Sequence, residues 1–171
     1  MTAAAQPDLI LLKPRPLTAA DFAPYGEVIE TRGVPIAINY GQTQRFHDLA
    51  HIDPGEDGKA IVSIFRSQPV MLPFMIKVME CHPLGSQAFM PLDGRPYIVV
   101  VAPAGPFDPH GMEAFCANGH QGVNFCRGTW HHYNLALEAP SNFMVVDRAG
   151  PGTNLQEMTL RHSVTVLSSK T

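Results

Sequence analysis

Sixteen prolines and fourteen glycines cut this 171-residue chain into runs too short for long helices. Proline removes a backbone donor and glycine supplies turn conformations, so short runs of Val, Ile, Phe and Met between them read as strands joined by turns. The expectation is an all-β chain with a few short helices, closed into a barrel or stacked as a sandwich. Candidate strands cover residues 27–31, 36–39, 45–50, 60–66, 74–82, 88–92, 96–102, 112–117, 123–125, 131–137, 142–147 and part of 157–167. One short helix is marked by Thr18 as its cap, Asp21 in its first turn and Gly26 at its end, with Pro24 limiting its length.

The length suits one domain over residues 1–171, with residues 1–8 expected as a mobile N-terminus. A net charge of −3 lacks the basic footprint of a nucleic-acid binder. Leu9–Leu12 is the only apolar run near the N-terminus and no basic segment precedes it, so neither a signal peptide nor a membrane span is expected. Cys81, Cys116 and Cys126 are odd in number and lack close pairing, which suits reduced thiols in a cytoplasmic protein.

Two stretches carry the chemistry: Glu80-Cys81-His82-Pro83-Leu84-Gly85-Ser86-Gln87 and Gly128-Thr129-Trp130-His131-His132. In a strand, alternate side chains share a face, so Phe74, Ile76, Val78, Glu80 and His82 are expected to point one way, into the core. The same alternation groups His131 with Tyr133, Leu135 and Leu137 and turns His132 outward, toward a dimer contact or a supporting hydrogen bond. A single buried His is most often a hydrogen-bonded core residue; two strands that both end in inward ionisable groups point to a functional cavity instead. Arg45 and His47 share a face of a third segment, and Arg66 and Arg148 end two more. The planar guanidinium suits a carboxylate, although a solvated strand end explains each Arg equally well.

The spacing Glu80-x-His82-x4-Gln87-x6-Gly94 resembles the first cupin signature, with Glu80 in place of the usual first His and Gln87 in place of the usual Glu. Gly128-x-x-His131 resembles the second, with Cys126 where a Pro is usual. The segments Arg45-Phe46-His47-Asp48-Leu49, His82-Pro83-Leu84-Gly85-Ser86-Gln87-Ala88-Phe89, Gly122-Val123-Asn124-Phe125, Trp130-His131-His132 and Asp147-Arg148, in this order, resemble the ureidoglycolate lyase family, also called ureidoglycolate hydrolase. That resemblance implies a cupin-type double-stranded β-barrel, a homodimer, and cleavage of ureidoglycolate to glyoxylate and urea in allantoin catabolism. It also suggests a divalent metal, nickel being the one linked to such enzymes.

Such a cleavage needs a base for the substrate hydroxyl, an acid for the departing nitrogen and a cation for the carboxylate. Glu80, His82, Gln87 and His131 are the candidate catalytic residues. The same four are the candidate metal ligands, Gln87 being the weaker donor. If no metal binds, Glu80 or His82 is the base. Arg45, His47, Arg66, His132 and Arg148 are the candidate substrate-binding residues. Two other functions fit the same residues: an amidohydrolase releasing ammonia from the same substrate, and a non-catalytic cupin that binds a small acid.

Overall fold

The computed structural model describes residues 9–168, so the expectation for residues 1–8 lies outside the described residues. Fifteen strands are found there. They are β1 (Leu9–Leu12), β2 (Arg15–Pro16), β3 (Gly26–Ile29), β4 (Ile36–Ile38), β5 (Thr43–Arg45), β6 (Lys59–Ser67), β7 (Phe74–Cys81) and β8 (Gln87–Pro91). They continue as β9 (Tyr97–Ala102), β10 (Glu113–Ala117), β11 (Gly122–Phe125), β12 (Trp130–His131), β13 (Leu135–Ala136), β14 (Ser141–Ala149) and β15 (Gln156–Val166). The larger sheet runs β1-β15-β7-β12-β9-β10-β2, with β13 also on β9; the smaller runs β3-β11-β8-β14-β6. β4 and β5 form a separate hairpin. No helix among the described residues is long and apolar enough to cross a membrane.

The two sheets face each other across a core rich in rings. Tyr97, Val99, Val101 and Phe115 from the larger sheet meet Val28, Phe89, Val123, Phe125, Phe143 and Val145 from the smaller. Tyr97 and Phe143 lie edge to face with centroids 5.0 Å apart, and Phe22 of the single helix stands against Phe115 at 5.6 Å. A fully buried Phe of this kind contributes about 2–3 kcal/mol over an exposed one. The all-β, cupin-like architecture expected from the sequence is the one observed.

The far face of the larger sheet is buried as well. Ile98, Val100 and Ala102 of β9 join Leu12, Ile76, Met79, Cys81, Ala114, Trp130, Leu135, Val164 and Val166 in a second cluster. This is why β9 reads Tyr-Ile-Val-Val-Val-Ala without alternation: each residue enters one core or the other. β1 seals the second cluster by pairing in parallel with β15, giving the N-terminal apolar run a role as a strand.

Several local expectations change. Ile76, Met79 and Cys81 all enter the second cluster, so Ile76 does not share the face of Glu80. The alternation slips in β7 opposite a register shift between Thr159 and Val164 of β15. The expected strand 131–137 is two short pieces, and 46–50 is not a strand, Asp48 having a φ of 56°. Thr18 caps the helix by accepting from the Asp21 N–H at 3.1 Å, but the helix is only Ala19–Phe22. Gly26 opens β3 instead, with a φ of 155°.

A Cβ at Gly26 would stand 1.9 Å from the Asn124 carbonyl oxygen, whereas one at Gly33, also at positive φ, would meet nothing within 4 Å. Gly26→Ala is therefore expected to lower unfolding free energy by about 3 kcal/mol, and Gly33→Ala by about 1 kcal/mol or less. Urea denaturation followed by circular dichroism measures both; equal losses would show that close approach at β3 does not matter.

Candidate active site

His131 pairs directly with Glu80 across β12 and β7, and with Val101 across β12 and β9. Glu157 of β15 pairs with Glu80 from the other side. Directly opposed residues of antiparallel strands present their side chains on one face, so Glu157, Glu80, His131 and Val101 form a row across four strands. Val101 lies in the core between the sheets, which fixes that face as the barrel interior. Along the row the environment grades from closed to open: His131 is 1 % exposed, the Glu80 side chain 30 %, and Glu157 faces solvent. The row ends at the mouth of the barrel.

His82 follows β7 and closes the group from above. Its Nδ1 lies 2.6 Å from the Asn154 carbonyl oxygen and its Nε2 3.1 Å from Gln87 Oε1. A carbonyl only accepts, so Nδ1 carries a proton, and in the neutral ring Nε2 is a lone pair aimed into the site. Gln87 meets it by turning its amide nitrogen inward, or with its oxygen when the ring is protonated. Gln87 opens β8 and is buried, so the smaller sheet contributes one group and the larger sheet the rest. The loop is braced on three sides. His82 accepts from Gly128 N–H at 2.9 Å, Leu84 N–H donates to Asn154 Oδ1 at 2.8 Å, and Ser86 and Asp53 exchange two bonds of 2.8 Å.

One ligand atom from each of Glu80, His82 and His131 lies within 4.8 Å of the others. The His131 ring stacks parallel on Phe125 at 4.2 Å, its Nδ1 is 3.8 Å from Glu80 Oε1, and its Nε2 is buried without a hydrogen-bond partner. Burial, reinforced by the nearby His82, depresses the His131 pKa to about 3, so this ring is neutral at ordinary pH. Burial raises the Glu80 carboxyl above the usual range; His82 opposes that rise and Glu157 adds to it. The set is thus a neutral imidazole, an orientable imidazole and a carboxyl kept more basic than usual. Such a donor set suits proton transfer and suits a divalent cation, which would also give the orphan nitrogen a partner.

The remaining sequence candidates do not join this group. His132 was expected to look out; it leaves the barrel interior but is 2 % exposed, packed on Phe74 and Tyr133, because the far face of the sheet is covered. Burial lowers its pKa to about 4. Arg66 is exposed and donates from Nε to Asn142 Oδ1 at 2.8 Å. Arg148 lies under the turns of Gly58, Gly85 and Gly150, its Nε buried and unpartnered. Arg45 and His47 are exposed, and 46–50 being irregular, they share no strand face. Two residues escape sequence reasoning altogether. Asn154 and Glu157 reach the site through cross-strand register and a loop carbonyl, and no local pattern announces either.

The family model described as ureidoglycolate lyase matches residues 9–167. Among curated proteins, the chain is 56% identical over 151 residues to a ureidoglycolate lyase of Burkholderia mallei, covering 87% of this chain and 89% of that one. It is 51% identical over 144 residues to the ureidoglycolate lyase of Brucella anthropi, covering 83% and 85%. The ureidoglycolate lyase of Pseudomonas entomophila is 50% identical over 145 residues, covering 83% and 87%.

His131 and His132 both have folded pKa values, about 3 and about 4, below the ordinary histidine value of 6.5. The unfolded chain therefore takes up protons first as pH falls below 6.5, and stability held in full above that value is lost toward pH 4 and 3. For metal-free protein each ring should cost about 2 kcal/mol between pH 7.5 and pH 5. His132→Phe should remove about half of that fall. Urea midpoints at the two pH values measure it, and a flat profile would show that neither ring is held neutral by burial.

Proposed function

This chain belongs to the ureidoglycolate lyase family, and from that premise we propose that it cleaves ureidoglycolate to glyoxylate and urea at the mouth of its barrel. The observation that carries the reading is the convergence of Glu80, His82 and His131 on one small space, with Gln87 beside them. A homodimer acting on a small-molecule substrate in the cytoplasm is the assembly and setting this reading implies.

The central carbon of ureidoglycolate bears a hydroxyl, a carboxylate and the urea nitrogen. Cleavage removes the hydroxyl proton, forms the aldehyde C=O, and sends the C–N bonding pair to nitrogen, which takes up a proton as urea leaves. Glu80, more basic than an ordinary carboxylate, takes the hydroxyl proton. His82, its Nδ1–H held by Asn154, starts the step doubly protonated and gives its Nε2 proton to the departing nitrogen, ending neutral while Glu80 ends protonated. Gln87 sets the angle of that ring, and neutral His131 completes the wall without adding charge. When a divalent metal is bound, Glu80, His82 and His131, with Gln87 as a weaker oxygen donor, would hold it, and its charge would acidify the substrate hydroxyl. The family resemblance points to nickel.

Purified protein should give glyoxylate and urea together, without ammonia; ammonia would instead indicate the amidohydrolase outcome. Stripping metal and restoring single divalent ions should abolish and then recover turnover if a metal takes part, and leave it unchanged if Glu80 acts unaided. Glu80→Gln and His82→Ala, each verified as folded, should lower kcat about a hundredfold or more with KM less affected. Near-full turnover in both variants would place the chemistry elsewhere.

A further inference from the structure

Residues 31–48 leave the barrel. β4 and β5 pair with each other and with neither sheet, and the turn between them, Asn39–Gly41, packs on those two strands. Val34 is 95 % exposed, the Tyr40 ring stands fully in solvent, and Ile36 is half exposed. The non-glycine residues with positive φ among the described residues are Asn39, Tyr40 and Asp48, all in this arm or at its return. An isolated two-stranded hairpin is marginal in water, and a left-handed Tyr persists only where surroundings enforce it. The arm's own barrel does not supply those surroundings.

Charge indicates what does. Across residues 31–48 the arm contains two arginines, a histidine and one carboxylate, Asp48, in a chain whose net charge is −3. Arg45 and His47 make no hydrogen bond or ion pair with any described residue. The barrel mouth is the complement: Glu80 and Glu157 stand side by side, and of the neighbouring arginines Arg127 is paired with Asp53 while Arg148 is half-buried with its Nε unpartnered. Arg127 grips both oxygens of Asp53 at 2.6 and 2.9 Å, and Arg148 lies beneath glycine turns. A substrate carboxylate at this mouth lacks the planar cation that suits it. The arm leaves the barrel at the end far from that mouth and returns beside it, at Asp53, which bonds Ser86 and Arg127. β3 begins at Gly26, paired with Phe125 beside the turn whose Gly128 bonds His82, and finishes at Ile29, paired with Gly122 at the opposite end of the sheet.

We propose that the protein works as a pair in which the arm of each copy crosses to the other and lays Arg45 and His47 over the second copy's Glu80–His82–His131 mouth, Arg45 receiving the substrate carboxylate. Val34, Ile36 and Tyr40 provide the apolar surface of the crossing. This rests on the lyase reading above and adds to it that each site is completed in trans.

Subunit complementation tests it. Arg45→Ala combined with His47→Ala alters two exposed positions and should raise KM for ureidoglycolate about tenfold or more without unfolding the barrel. His82→Ala leaves the arm intact and disables the site. Co-expressed with different tags and purified as a hybrid, the pair holds one intact site faced by one intact arm, and should recover about half of wild-type activity while each parent stays low. A hybrid no more active than its parents, an arm variant with unchanged KM, or a monomeric wild type by native mass spectrometry would each overturn the crossing. Wild-type protein that fails to release glyoxylate and urea would overturn the lyase reading itself, a separate outcome.

Discussion

The direct pairing of Glu80 with His131 across β7 and β12 is the constraint on which the site depends. Side chains of an antiparallel pair share a face by necessity, so once these two residues are opposed, a carboxylate and an imidazole must meet inside the barrel. The register is held from both sides: Val101 and Phe125 fix His131 against the inner core, while Trp130, one residue earlier, is fixed in the outer one. A slip of one residue would exchange His131 with Trp130 and put the indole beside Glu80.

The electrostatics follow from the gradient of burial along that row. Deep in the barrel the cost of an uncompensated charge keeps His131 neutral; nearer the mouth Glu80 retains partial access to water and a raised pKa. Glu157, at the open end, adds a like charge that opposes ionisation of Glu80. The barrel thus spaces groups of different basicity along one line through depth alone, with no arginine or lysine among them.

Much of this was legible in the sequence, and what was not has physical causes. The punctuation by Pro and Gly gave away the strands, and the Glu-x-His spacing with Gln87 and His131 located the group that the structure brings together. The outward reading of His132 gives the right face and the wrong environment, because alternation tells which side of a sheet a residue takes, not whether that side is wet; here the far face is covered. The grouping of Ile76 with Glu80 failed because the partner strand is irregular opposite it, a fact recorded only in β15, some eighty residues further along. Asn154 and Glu157 were invisible for a related reason, since each acts through a neighbour that is remote in the chain. The arginines were the weakest reading: strand ends carry arginine for solubility as readily as for recognition, and sequence does not separate the two.

Asn154 performs two tasks with two ends of one residue. Its carbonyl fixes the proton of His82 on Nδ1, and its side chain holds the amide of Leu84 in the loop that carries His82. The segment between β14 and β15 is therefore tied through one residue to both the His82 ring and the loop that carries it. Displacing Asn154 would release the tautomer of His82 and the anchor of Leu84 together, so ring and loop are set as one unit.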